Sequence, residues 1–160
     1  MLTKCENISI PCVRHRSVIL AFSGDEFLVV RQARKVLKTK GYSASNTSVL
    51  EEEITGSKVK DLISQGALFG QQALYIDFDT GFVGQAHVKN RNGVMKALQL
   101  VPEEMLVVVV DSKATVGRKK VFSRLGEHEH LPTPRFDNLG RWVYQELVDR
   151  DVPFQHRVPG

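Results

Sequence analysis

Apolar and polar positions along the chain sort into short continuous apolar runs and longer stretches with helical spacing. The run Ser17 to Ser23 is apolar through its middle and ends at Ser-Gly-Asp, which predicts a fully buried strand leading into a turn. Asp25 to Lys40 follows as a helix, with Val29, Ala33, Val36 and Leu37 as its buried stripe. Asp25 and Glu26 lie in its first turn and Lys35, Lys38 and Lys40 toward its end, complementing the helix dipole, and Gly41 terminates it. Thr47 to Leu50 reads as a short strand. Ser57 to Gln65 reads as a short helix, with Val59, Leu62, Ile63 and Ala67 at i, i+3, i+4 and i+8. Ala73 to Phe78 is a second buried strand, and the polar, glycine-bearing stretch Asp79 to Asn92 reads as a loop. A helix near Val94 to Leu100 stops at Pro102. Met105 to Asp111 carries four consecutive valines, which fits only a central parallel strand covered on both faces. Val116 to Leu125 is a basic helix. Pro132 and Pro134 confine any strand in Glu127 to Phe136 to a short edge. Asp137 is expected to cap a last helix with Leu139, Trp142, Val143 and Leu147 on one face, and Pro153 to break it.

Strands alternating with helices predict an α/β domain with a mostly parallel five-stranded sheet in a three-layer arrangement. One corner stands out. Gly66-Ala67-Leu68-Phe69-Gly70 joins the Ser57–Gln65 helix to the strand at Ala73, and glycines on both sides free the backbone to turn. Leu68 and Phe69 there have two readings: a plug folded under the strand, or a protruding anchor for a partner.

With 160 residues the chain is long enough for one domain with a real core. Hydrophobic content of 42% and charged content of 25% are ordinary for a soluble protein. No apolar run approaches the ~18 residues of a membrane helix. Residues 1–16 lack the apolar core of a secretory signal, so the expected location is cytoplasmic. A net charge of +4 permits contact with nucleic acid or an acidic protein without demanding it. Cys5, Cys12 and His15 are three potential metal ligands, but the spacing of the cysteines is wrong for a zinc knuckle and no fourth ligand is near; free thiols are the expectation.

Ligands of parallel sheets gather at the carboxyl ends of the strands. A phosphate-binding loop after the first strand would need glycines followed by Lys and Ser or Thr. Ser23-Gly24-Asp25-Glu26 offers two carboxylates and no lysine there, and no G-x-G-x-x-G is present. Asp25, Glu26, Asp77, Asp79 and Asp111 all fall just past strands. Three such carboxylates can hold Mg²⁺ for phosphoryl-transfer or nuclease chemistry, but Asp is also common where a strand leaves the core. Arg118, Lys119 and Lys120 form either a solvated helix face or a phosphate-facing patch, without the interleaved aromatics of a single-strand binder. His128 and His130 flank Glu129 with no third partner evident in sequence, and read as exposed side chains rather than ligands.

Four blocks in order give the chain a family resemblance. The first is Val18 to Val29, an apolar strand, then Gly24-Asp25-Glu26, then a helix. The second is Ala67-Leu68-Phe69-Gly70 with the strand that follows. The third is Leu106 to Val110, then Asp111-Ser112-Lys113 and the basic Arg118-Lys119-Lys120. The fourth is an aromatic, Asp/Pro and Leu segment leading into Arg141-Trp142-Val143. In these the chain resembles the N-terminal domain of the delta subunit of bacterial DNA polymerase III, a clamp-loader protein. The resemblance implies a P-loop-ATPase-like (AAA+/RecA-type) fold without a working P-loop, the phosphate loop at Ser23, Gly24 and Asp25 being degenerate. It implies no cofactor and no catalysis by the chain itself. It also implies that Leu68 and Phe69 insert into a hydrophobic pocket of the sliding clamp and help open it. Other clamp-loader subunits would be partners if the chain is a fragment, and DNA would be met indirectly through the complex. The expected organisation is an extension over residues 1–16, the α/β domain over 17–147, and a tail or the start of a further domain over 148–160. The family's helical domain and collar find no match before Gly160, so the chain is expected to be either a fragment or a stand-alone relative. The alternatives outside the family are a small metal-dependent nuclease or phosphatase built on the strand-end acids, and a nucleic-acid-binding module using the basic helix.

Overall fold

The computed structural model describes residues 19–69, 72–82 and 84–150, apart from the side chains of Ala67 and Phe69. Strand β1 (Ile19–Gly24), helix α1 (Glu26–Thr39), β2 (Thr47–Leu50), α2 (Gly56–Phe69), β3 (Ala73–Asp77), α3 (His87–Ala97), β4 (Leu106–Val110), α4 (Val116–Leu125), β5 (Glu127–Leu131) and α5 (Phe136–Asp149) follow in chain order. The five strands form one sheet in the order β2-β3-β4-β1-β5, and every pairing is parallel.

The valine run explains the layering. Successive side chains of a strand point to opposite faces. Leu106, Val108 and Val110 therefore pack with Phe22 and Tyr75 against Val29, Ala33 and Leu37 of α1. Val107 and Val109 join Ile19, Ala21, Leu74 and Ile76 against Val59 and Ile63 of α2, Val94 and Ala97 of α3, and Phe122 of α4. Helices thus cover both faces, which gives three layers. The close approach of α2 and α3 rests on Gly56, where a Cβ would lie 2.8 Å from the Gly93 backbone. No helix among the described residues is long and apolar enough to cross a membrane.

Several boundaries differ from expectation. Helix α2 continues four residues past Gln65, so Leu68 and Phe69 lie in its last turn rather than beyond its end. Gly66 does not stop it: the missing side chain lets the helix lie against Met105, whose Cε is 2.9 Å from where a Cβ would stand. The expected loop 79–92 ends early, because α3 starts at His87; its first turns carry polar residues facing solvent, and only Val94 and Ala97 are buried. Residues 98–100 form a 3₁₀ turn instead of continuing that helix. Asp137 sits inside the first turn of α5, with Arg135 at the N-cap. No residue of α5 is buried: the helix rests on α1 through an edge-to-face contact of Phe27 with Trp142 and ion pairs from Arg31 to Glu146 and Asp149. Cys5, Cys12, His15, the extension over 1–16, Gly70 and Pro153 lie outside the described residues.

Candidate functional site

Parallel pairing brings the carboxyl ends of β1, β3, β4 and β5 to one edge of the sheet, where the Ser23-Gly24-Asp25 turn lies. The turn out of β1 is held from both sides: Gly24 N–H donates to Ser112 O (3.2 Å) and Asp25 N–H to Leu131 O (2.7 Å). Gly24 has φ +118°, and a Cβ there would stand 2.0 Å from the Leu131 carbonyl oxygen, so glycine is required. Asp25 then caps α1. Its Oδ1 accepts the N–H groups of Phe27 and Leu28, both at 3.1 Å, and its Oδ2 accepts from the Thr133 hydroxyl at 2.9 Å. Free N–H groups at a helix start after β1 are what a phosphate would bind in a P-loop protein. Here a side-chain carboxylate of the chain takes them.

The other strand-end acids are also engaged. Asp77 Oδ1 accepts from the N–H groups of Asp79 (2.8 Å) and Thr80 (3.2 Å), closing the turn after β3. Asp79 receives the Ser112 N–H at 3.0 Å and its hydroxyl at 2.9 Å, tying the β3 turn to the β4 turn. Asp111, 2% exposed, is held by Arg118 through Nε at 2.6 Å and Nη2 at 3.2 Å. Asp77, Asp79 and Asp111 do share one cavity of about 370 Å³, but Arg91, Lys113 and Arg118 line it too. Among the described residues no group of three or more His, Cys, Asp or Glu is arranged to hold a metal ion. A second cavity of about 610 Å³ is lined by Glu51, Glu52 and Glu53 with Asp77 and Thr80, an acidic loop that the periodicity gave no reason to single out.

The basic triplet does not act as one face. Arg118 also donates to Lys113 O at 3.0 Å and is turned into the sheet edge, half-buried like Lys119, while Lys120 is exposed. Of the two readings of the triplet, solvated face or phosphate-facing patch, neither describes Arg118 in this structure, where its fork geometry is spent on the Asp111 carboxylate.

Leu68 is 79% exposed. Helical geometry explains why. At about 3.6 residues per turn, Leu68 stands some two and a half turns after Val59 and so projects opposite the buried Val59–Ile63 stripe. The Phe69 side chain lies outside the description. Since α2 starts where β2 ends and finishes beside Met105, just before β4, Leu68 sits at the amino edge of the sheet, away from the Gly24–Asp25 turn.

The histidines have the third partner that sequence reading lacked. β5 pairs with β1 so that Ser23 lies opposite His130. The Ser23 hydroxyl is 2.8 Å from His128 Nε2 and 3.1 Å from His130 Nδ1. His128 also stacks on Phe122, ring centroids 6.5 Å apart. Burial lowers the His128 pKa below the ordinary 6.5; Lys119 and His130 add to this and Asp111 opposes it. The i, i+2 spacing on a strand was the available signal, but only the register shows which β1 residue the pair meets.

No family model matches the chain, and no curated protein matches it. Solved structures do. The AAA domain of FIGL-1 in complex with ADP superposes with a TM-score of 0.51 at 15% identity, over 82% of this chain and 48% of that one. A DNA polymerase III gamma subunit-related protein from Thermotoga maritima is similar at TM-score 0.49 and 15% identity, over 96% of this chain and 54% of that one. The chain thus spans about half the length of these structures. The fold is that of AAA+ domains: a three-layer, P-loop-like α/β domain with an all-parallel sheet.

Proposed function

We propose that this chain is a delta-like, non-catalytic clamp-binding domain that contacts a DNA sliding clamp through Leu68 and Phe69 and helps open it during loading. The observation that carries the reading is the exposure of Leu68, a large apolar side chain at the last turn of α2 with the core stripe on the opposite side. An apolar residue held out by a rigid helix is suited to be an interface anchor. The four sequence blocks that resemble the delta subunit supply the identity of the partner.

The occupied helix start after β1 supports the non-catalytic part. For nucleotide to bind, a triphosphate would have to displace the Asp25 carboxylate from the N–H groups of Phe27 and Leu28, and no lysine stands nearby in the loop to replace it. Titration with a fluorescent ATP analogue and Mg²⁺ is expected to give no saturable binding; micromolar binding abolished by a Gly24 substitution would contradict this. The clamp contact is tested by capture: the immobilised chain should retain its cognate sliding clamp. Failure to retain it at micromolar concentration would reject the reading.

A nuclease or phosphatase built on Asp77, Asp79 and Asp111 is the second reading, favoured only by their sharing one cavity. Their hydrogen bonds to Ser112, Thr80 and Arg118 weigh against it. Incubation with DNA and Mn²⁺ should leave the DNA intact; cleavage lost on Asp111→Asn would favour the nuclease.

A further inference from the structure

We propose that His128 and His130, converging on Ser23, form a binding site for a divalent transition-metal ion of the Zn²⁺/Cu²⁺ class that fastens the edge strand β5 to β1. Both imidazoles point to one face of β5 because they are two residues apart. Each presents a ring nitrogen to the same oxygen, Nε2 of His128 at 2.8 Å and Nδ1 of His130 at 3.1 Å. Two nitrogens at these distances from one oxygen lie at most about 5.9 Å apart, and rotation of the exposed His130 ring brings them within the roughly 4 Å that a single ion spans. At bonds of about 2.0–2.1 Å the ion would lie between the rings, with the Ser23 hydroxyl beside it and water completing the shell.

The donor set selects the ion. Two imidazoles suit Zn²⁺, Cu²⁺ and Ni²⁺, with Cu²⁺ tightest among divalent ions, whereas Mg²⁺ and Ca²⁺ need several oxygens. The nearest carboxylate to act on His128, Asp111, is already bound by Arg118. Glu129 falls between the two histidines, and successive residues of a strand face opposite sides. Lys119 lies close enough to act on His128 and opposes a dication, so the affinity should be modest.

Ligation asks little of the protein. Ser23 has one hydroxyl proton, so it donates to one ring while the other ring donates to its oxygen. A neutral imidazole frees the facing nitrogen by carrying its proton on the other one. Phe122 already supports the His128 ring from behind. Ser23 is 1% exposed whereas His130 is open to solvent, so the ion would enter from the His130 side.

The test uses the full chain with Cys5→Ser and Cys12→Ser, because thiols bind the same ions. After chelator treatment, Cu²⁺ is titrated by electron paramagnetic resonance and Zn²⁺ by competition with a chromophoric chelator. One ion per chain at micromolar metal, with imidazole nitrogen hyperfine structure, is expected, and Mg²⁺ should not compete. Loss of an outer-shell partner alone typically costs about 10–100-fold in metal affinity. His130→Ala, at an exposed position, should therefore weaken binding at least tenfold, and so should His128→Gln, which keeps a polar partner for Ser23. Circular dichroism establishes that each variant is folded. Unchanged affinity in both folded variants, or no bound Cu²⁺ at micromolar concentration in the parent, would overturn the site.

Discussion

Asp25 shows how one residue decides what a fold can do. Its carboxylate takes two N–H groups at the start of α1 and the Thr133 hydroxyl, so the helix start that would hold a phosphate in a P-loop protein is satisfied internally. Asp25→Ala should cost about 0.5–2 kcal/mol, the usual range for losing an N-cap, measured by urea melts. Gly24→Ala should cost at least the roughly 1–3 kcal/mol of a strained backbone, because its φ is positive and the new Cβ meets the Leu131 carbonyl. A neutral result for Gly24→Ala would mean that the turn relaxes without cost. His128 supplies a pH dependence. Its pKa is lowered in the folded state, so the native form favours the neutral ring and the unfolded chain takes up the proton first. Its contribution to stability is complete above the unfolded histidine value of about 6.5 and is lost as pH falls through the lower folded value. In metal-free buffer, His128→Gln should flatten that acid limb of the stability curve; an unchanged limb would assign it elsewhere. The absence of a phosphate-loop lysine was legible in the sequence. The partners of Asp25, Asp111 and Ser23 were not, because Thr133, Arg118 and the two histidines reach them only through tertiary contact.

At the scale of elements, the strands were the most legible. Short apolar runs set by alternation cannot move far without exposing valines, and β2 and α4 have the limits that the pattern indicates. Helix starts and ends were less legible: α3 begins within a polar stretch that no burial marks, and α2 runs on through Gly66 because it packs there against Met105. Helix α5 is the extreme case. Its stripe is apolar in sequence, yet Leu139 and Val143 remain exposed and an ion-pair cluster of Arg31, Lys35, Glu146 and Asp149 holds it to α1. Partly exposed ion pairs such as Lys35–Asp149 and Arg31–Asp149 are weak and screened by salt. Amide exchange in α5 should accordingly accelerate in Arg31→Ala, and at high salt in the parent, while exchange in β4 stays slow. Equal protection of both elements would show that α5 docks by other means. The Asp111–Arg118 pair is less exposed, and Arg118→Ala should cost about 1–3 kcal/mol by leaving a buried carboxylate unpaired.

Across the whole molecule, parallel topology separates the Gly24–Asp25 turn from the exposed Leu68. The strands carry the chain to the carboxyl edge, where the Gly24–Asp25 turn lies, and α2 returns it to the amino edge, where Leu68 projects. Contact with a clamp at one edge therefore leaves the other edge accessible. The most direct measurement follows stability and clamp affinity together in Leu68→Ala and Phe69→Ala. As a clamp anchor, each residue should change stability by no more than about 0.5 kcal/mol. Clamp affinity by surface plasmon resonance should fall by ~2 kcal/mol or more, about thirtyfold. A loss of about 2–5 kcal/mol of stability in both variants, with clamp binding intact per folded molecule, would make the pair part of the core and contradict the account.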